Sequence, residues 1–554
     1  MPSRFRSDLR PPRSPLPPTR PEAGAENRFE RWMIIVLIFA GHLSVYLLDR
    51  SFLPGNDATF NTYLPALLLS KGTFSVTPSA MPNFFFWRLQ APAGPKLVQF
   101  RSWSDRLGES TTSQLRERGD LTLASPKYYL TASRRVDPLT GESEYVNTFG
   151  PATGVLALPL YAALNVGAGD PLARPRDLWL IGKTAASVFV ALSVVFVYLS
   201  CRLLTGRRSA LLVSIAYGLG TCVWSLGSQA MWQHGPNECF LAMGTYFLLR
   251  ARTHRPSAAL CGLSYGIAAA CRPTSAIVVA AAGAYFLLSD RKALVAYIAG
   301  GLPVAAALGA YNVYYHGSLL SLGRLEVDRA VALEKTGSAE LWQTPLAEGV
   351  AGLLVSPSRG LFVYSPFLLF AAAGFVRAWK DDRFPALRAL TVAIGGHLLV
   401  AARWFDWWGG WCYGYRPIVD TTPLLAVLLA LVIDGVLRAR WSRIAFAALL
   451  IWSIGVQFVG AYAYDVVGWN NRVIAYQVHR DDGTSLTLPA DQADAGQIAE
   501  EYPGASVLEV QANIDARRYR SRLWSVADNP ILFYVVNLRK SRENRLLLTH
   551  RALD

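Results

Sequence analysis

The chain has no CxxC pair, no HExxH or related histidine spacing, no Walker A loop and no GxGxxG unit. Each absence removes a class of protein. Of the six cysteines, Cys201, Cys222, Cys239, Cys261 and Cys271 lie in or beside apolar runs and only Cys412 falls in an outer loop, so packing is their expected role and a disulfide framework is excluded. Seven histidines without ligand spacing predict no zinc site. Without a phosphate-cradling glycine loop there is nowhere to hydrolyse ATP, which argues against a primary pump. Charge is scarce as well, at 17% of 554 residues.

What is abundant is apolar residue, 52% of the chain, in runs of membrane-spanning length that recur from residue 32 to residue 464. The expected class is an all-α polytopic membrane protein. The net charge of +15 sits largely in short Arg-rich loops, where it sets orientation and gives no nucleic-acid signal. Residues 1–31 are rich in Pro and Arg and read as a disordered cytoplasmic tail. Trp32 to Leu48 reads as an uncleaved first span with its start held inside by Arg28 and Arg31. A first outer loop follows, taken over 49–177, with the mixed-charge piece Arg101 to Asp120 and the knot Phe84-Phe85-Phe86-Trp87. Within it Phe149 to Val166, broken by Pro151, Gly154 and Pro159, reads as an interfacial or re-entrant helix.

Further spans are expected at about 178–204, 211–229 and 239–249. The stretch Ser257 to Leu288 would be about 48 Å long as one helix, against a hydrocarbon core of about 30 Å. Arg272-Pro273 near its middle fits two short spans turning there on the outer side. Spans at about 293–312, 361–376, 389–402, 418–437 and 444–462 complete a set of about eleven, with residues 32–464 as the membrane domain. The amino end is then cytoplasmic and residues 465–554 form a small extracytoplasmic region.

That topology collects the polar clusters outside. Leu53-Pro54-Gly55-Asn56-Asp57-Ala58 places a carboxylate just beyond the first span, ahead of an apolar helical pattern (Leu64, Leu67, Leu68) that could lie flat in the interface. Asp57 reads equally as a helix cap and as a catalytic base. Trp232-Gln233-His234-Gly235-Pro236-Asn237-Glu238 is a dense polar start to a span, an interfacial anchor or a binding cluster. Arg359 enters a later span, where it would bind a phosphate or snorkel. Arg403 to Arg416 carries Asp406, Trp407, Trp408, Trp411 and Tyr413, the residue types that recognise sugars and phosphates. Arg272 is the fourth outer feature.

As a set, the phrases at 53–72, 147–161, 231–238, 269–276, 352–367 and 404–418, with Arg522-Leu523-Trp524 to Asp528-Asn529-Pro530, resemble bacterial membrane proteins of the C-type glycosyltransferase superfamily (GT-C). The likeness is to the branch related to protein-O-mannosyltransferases and lipid-A aminoarabinose transferases. It implies a polyprenyl-phosphate-sugar donor and inverting transfer, on the outer face of the inner membrane, to a glycan, lipid or protein acceptor. It also implies Asp57 as general base, with Arg272, Arg359 and Arg416 as donor-phosphate candidates. Asn56, His234, Glu238, Asp406, Trp407, Trp408, Trp411 and Tyr413 are the substrate-binding candidates. The mannosyltransferase pattern pairs its acid with a second one, whereas here Ala58 follows Asp57, and a divalent cation stays an open possibility. The rival classes are a transporter or flippase, which predicts ionisable residues lining a path and internal repeats, and a scaffold that has lost catalysis.

Overall fold

A computed structural model describes residues 28–551 apart from 54, 92–93, 100–120, 123–128, 168, 322–323, 481–482 and 491–494. Most of the expected amino-terminal tail and the mixed-charge piece 101–120 therefore lie outside the described residues. The larger helices are α1 (Arg28–Leu47), α2 (Asn56–Lys71), α3 (Ala152–Leu164), α4 (Pro175–Arg202), α5 (Arg207–Gly220) and α6 (His234–Arg250). They continue with α7 (Ser257–Cys271), α8 (Ala276–Ser289), α9 (Arg291–His316), α10 (Arg324–Thr336) and α11 (Leu346–Val355). The last are α12 (Ala371–Lys380), α13 (Pro385–Arg403), α14 (Thr422–Ala430), α15 (Arg440–Ala463) and α16 (Leu538–Arg551).

Among the described residues α1, α4, α9, α13 and α15 are long and apolar enough to cross a membrane singly. With shorter apolar helices beside them, this is a multi-pass membrane protein. The shorter ones include α3, α7, α11 and the stretch Pro273–Ser289. A 15-residue helix such as α7 reaches about 22 Å, less than the hydrocarbon thickness. α4 is the hub: 72% of its most apolar window is buried, against 17% for α1 and α9, which present most of that surface outward. α7 and α9 approach at backbone contact. A Cβ on Gly300 would lie 1.9 Å from Ala259 O, so only glycine fits there, the small-residue packing expected between helices in lipid.

The break predicted at Arg272 is present. α7 ends at Cys271, Arg272 is extended (φ −140°, ψ 114°), and a 3₁₀ turn over Pro273–Ser275 leads into α8. Two expectations need correction. The protein is not all-α: the segment 49–177 holds strands β1 (Ser75–Val76), β2 (Phe86–Ala91), β3 (Gly94–Gln99), β4 (Leu121–Thr122), β5 (Leu130–Val136) and β6 (Ser143–Asn147). They pair as β1-β6-β5 and β3-β2-β4. A third antiparallel sheet, β8-β7-β9, occupies the carboxyl-terminal region, from β7 (Asn471–His479), β8 (Ser485–Pro489) and β9 (Ser506–Asn513). Nor is α2 a helix with a single covered face. Ala58, Phe60, Leu64, Ala66 and Leu67 are all buried, as are Thr59, Asn61 and Thr62, so the helix is enclosed on most sides until its last turn.

Candidate active site

The turn before Asp57 is fixed by contact. A Cβ on Gly55 would come within 2.3 Å of the Trp232 ring, so this residue must be glycine for the chain to pass. Gly55 is the N-cap of α2, with no side-chain cap, and Asp57 stands one residue inside the helix. Its carboxylate is therefore not the cap, although it gains from the helix dipole in the first turn. Instead Asp57 Oδ2 pairs with Arg416 at 3.0 Å, and the Arg416 guanidinium lies 5.3 Å from the centroid of the Trp232 ring. One tryptophan thus positions both the turn and the cation that faces the carboxylate.

Beside this pair is a second cluster. Arg272 Nε lies 2.9 Å from Asp420 Oδ2, and its Nη1 is 2.7 Å from Nε2 and 2.8 Å from Nδ1 of His234. His234 Nδ1 is 3.1 Å from Asp420 Oδ1. Arg272 also interacts electrostatically with Arg324, Arg416 and Asp57, which joins the two clusters into one charged site. Glu238, one helical turn on from His234 in α6, is fully buried, and neither carboxylate oxygen has a hydrogen-bond partner. His234, Glu238 and Asp420 each offer a ligand-type atom within 4.8 Å of the others, the one such group among the described residues. His397 Nε2 lies 3.2 Å from Pro417 O, at the base of the turn that carries Asp420.

α10 brings further charge to the same site. Arg324 pairs with Asp328 at 2.8 Å and lies 4.5 Å from the Phe149 ring centroid. Burial, with Asp57 and Asp406 adding to it, raises the Asp328 pKa against the opposing pull of Arg324.

Of the candidates named from sequence, Asp57, Arg272, Arg416, His234 and Glu238 converge here. Others do not. Arg359 is fully buried and makes four hydrogen bonds: it donates to the carbonyls of Trp408 (2.9 Å), Ser358 (2.9 Å) and Gly410 (3.1 Å) and to Asn470 Oδ1 (2.9 Å). Sealed in this way, its guanidinium presents no open face to a phosphate. The aromatic segment is an internal joint and no open platform. Trp407 Nε1 donates to Glu348, Trp408 Nε1 to Asp515, Trp411 Nε1 to Asn513, and the Tyr413 hydroxyl to Val456 O. Asp406 pairs with Lys335 at 2.8 Å, and Lys335 reaches Asp515 at 3.0 Å. Burial opposes the Lys335 charge, but the two carboxylates outweigh it and raise its pKa. Asn56 opens α2, and its side chain lies outside what is described.

Sequence reasoning missed Asp420, Arg324 and Asp328. A carboxylate inside an expected span was the available signal for Asp420. His234 and Glu238 also stand at i, i+4 on one helix face, a spacing that brings two ligands together.

Residues 182–315 match the family model described as dolichyl-phosphate-mannose-protein mannosyltransferase. The likeness to GT-C glycosyltransferases is borne out by this match. The matched stretch contains His234, Glu238 and Arg272 and leaves Asp57, Arg416 and Asp420 outside it. No curated protein matches the chain. Among solved structures, the Archaeoglobus fulgidus oligosaccharyltransferase tethered to an acceptor peptide with the NVT sequon is 13% identical, over 79% of this chain and 55% of its own, with a TM-score of 0.45. This chain thus spans about half of that enzyme's length. ArnT from Cupriavidus metallidurans, bound to undecaprenyl phosphate, is 12% identical over 95% of this chain and 76% of its own, with a TM-score of 0.42. The archaeal AglB in complex with an inhibitory peptide and a dolichol-phosphate is 12% identical over 79% and 56%, with a TM-score of 0.41.

Proposed function

We propose that this protein is an integral-membrane glycosyltransferase that moves a hexosyl or pentosyl unit from a polyprenyl-phosphate donor to a glycan, lipid or protein acceptor. The transfer inverts the anomeric carbon and takes place on the outer face of the cell's inner membrane. The observation that carries the reading is the meeting of Asp57 with Arg416, Arg272 and His234, close to where the first span ends, in a chain whose 182–315 stretch matches the mannosyltransferase model.

Single displacement needs a base for the acceptor hydroxyl proton, and Asp57 takes that role. The departing lipid phosphate gains negative charge as the glycosidic bond breaks. Arg272 and Arg416 supply charge-assisted hydrogen bonds to it, with Arg324 on α10 as a third guanidinium. A donor that never leaves the bilayer accounts for a site built at the outer ends of membrane helices. In this reading residues 1–31 stay cytoplasmic, 32–464 form the membrane domain, and 465–554 lie outside.

The test is reconstitution in liposomes with a panel of polyprenyl-phosphate sugars, following loss of donor. Asp57→Asn keeps size and gives up only a modest first-turn dipole contribution, so the variant folds and inserts, while transfer falls by about 10²–10⁴-fold. Transfer at the wild-type rate by Asp57→Asn removes Asp57 as the base. Asp328→Asn, at a carboxylate on α10 that interacts electrostatically with Asp57, is then the variant to compare.

A further inference from the structure

The buried carboxylate of Glu238 has no role in the transfer just described. Asp420 is balanced by Arg272 at 2.9 Å, whereas Glu238 has no hydrogen bond and no ion pair within 4 Å, and feels Arg272 only at longer range. Asn237 Nδ2 and Thr274 Oγ1, close to it and to Arg272 in sequence, are buried without partners as well. Burying an unpaired carboxylate is costly, and a cluster of unsatisfied polar atoms marks a place where a further group belongs.

We propose that His234, Glu238 and Asp420 hold one divalent transition cation of the zinc class. The donor set is one imidazole and two carboxylates, which suits zinc or its first-row neighbours better than magnesium or calcium, whose ligands are oxygens. The spacing fits with small adjustment. Three atoms within 4.8 Å of one another lie no more than about 2.8 Å from a common centre, against bonds of about 2.0–2.2 Å. His234 Nδ1 and Asp420 Oδ1, 3.1 Å apart, already have the separation of adjacent ligands in a tetrahedral shell. The Asp420 oxygen that faces Arg272 stays outside the shell and keeps that arginine as its outer partner. A cation on Nδ1 leaves Nε2 protonated, so Arg272 Nη1 must give up the imidazole and turn elsewhere. The cation pins α6 to the 3₁₀ turn Arg416–Thr421 that carries Arg416 and Asp420.

The whole protein, purified in detergent without a histidine tag, is loaded with zinc, desalted and analysed for metal. The expected result is about one zinc per chain, with a melting temperature a few degrees higher that a chelator returns to its starting value. Glu238→Gln and His234→Ala lose the metal, while His316→Ala, a change at the far end of α9, retains it. X-ray absorption on the zinc-loaded wild type, which needs no variant, shows nitrogen and oxygen neighbours, one imidazole and no sulfur. A wild type that takes no stoichiometric zinc overturns the proposal and leaves Glu238 a neutral buried acid. Zinc retained by Glu238→Gln, or a sulfur or multi-histidine shell, also overturns it by placing the metal elsewhere. Metal content is read without any transfer assay, so an inactive protein that binds zinc at these residues sinks the catalytic reading and not this one.

Discussion

At the scale of single residues, burial separates two kinds of arginine that a sequence shows as equals. Arg272 and Arg416 keep side chains 17% and 19% exposed beside carboxylates, whereas Arg359 is sealed among backbone carbonyls. Their substitutions should therefore fail differently. Arg416→Ala leaves Asp57 without its partner and is expected to lower donor turnover with the melting temperature little changed. Arg359→Ala orphans up to four buried acceptors, each costing about 1–3 kcal/mol, so the expected loss is about 3 kcal/mol or more of stability, read as a lower melting temperature in detergent. Charged residues near a span end were legible from the chain alone. Which of them a later segment covers was not, because the carbonyls that hold Arg359 come mostly from residues about fifty positions away. Asp420 was hidden for the opposite reason, lying in a run that reads as apolar.

At the scale of elements, long apolar helices were legible because their lengths match the bilayer, and the break at Arg272 was legible because Pro273 follows a charge. The sheets were not. Strands such as β7, Asn-Arg-Val-Ile-Ala-Tyr-Gln-Val-His, alternate over only a few residues inside polar segments, a weak signal beside twenty-residue apolar runs. α16 was missed as well, and it ties both ends of the chain together. Arg542 makes two 2.6 Å contacts with the Asp49 carboxylate, and Arg545 donates to Ser51 (2.8 Å) and Gln229 (2.7 Å). Leu53 N donates to Gln229 O at 3.2 Å, so the helix clasps the strip of chain that delivers Asp57. Asp49→Arg and Arg542→Asp should each destabilise, and the double swap should recover part of the loss, with a coupling of about 0.5–3 kcal/mol in a double-mutant cycle. Additive losses would show that the clasp does not bind as a pair. A second joint, Lys335 with Asp406 and Asp515, has a pH signature. Burial opposes ionisation of Asp406, but Lys335 wins and lowers its pKa. Its contribution is present above the ordinary carboxylate range of about 4 and is lost as pH falls through the lowered value. The raised Lys335 contributes fully below about pH 10 and loses its contribution only in strong alkali, so the joint should hold across neutral pH and open in acid. Limited proteolysis within 465–554 against pH checks this, and Lys335→Met should lack the acid transition.

At the scale of the whole molecule, the carboxyl-terminal region and the membrane domain interlock through Trp408, Trp411, Arg359 and α16, so orientation of one fixes the other. Cysteines engineered into 465–554 are expected to react with impermeant reagents only from outside intact cells. Labelling from the cytoplasm would reverse the topology and move the site to the other face. In the resting site Asp57 is held by Arg416, the same guanidinium that the donor phosphate is proposed to claim. An acceptor that arrives first finds the carboxylate already engaged. Only a seated donor draws Arg416 away and releases it. Such an arrangement is an interlock, and steady-state kinetics should show it as compulsory order, donor before acceptor, with stray water left unactivated while the lipid site stands empty.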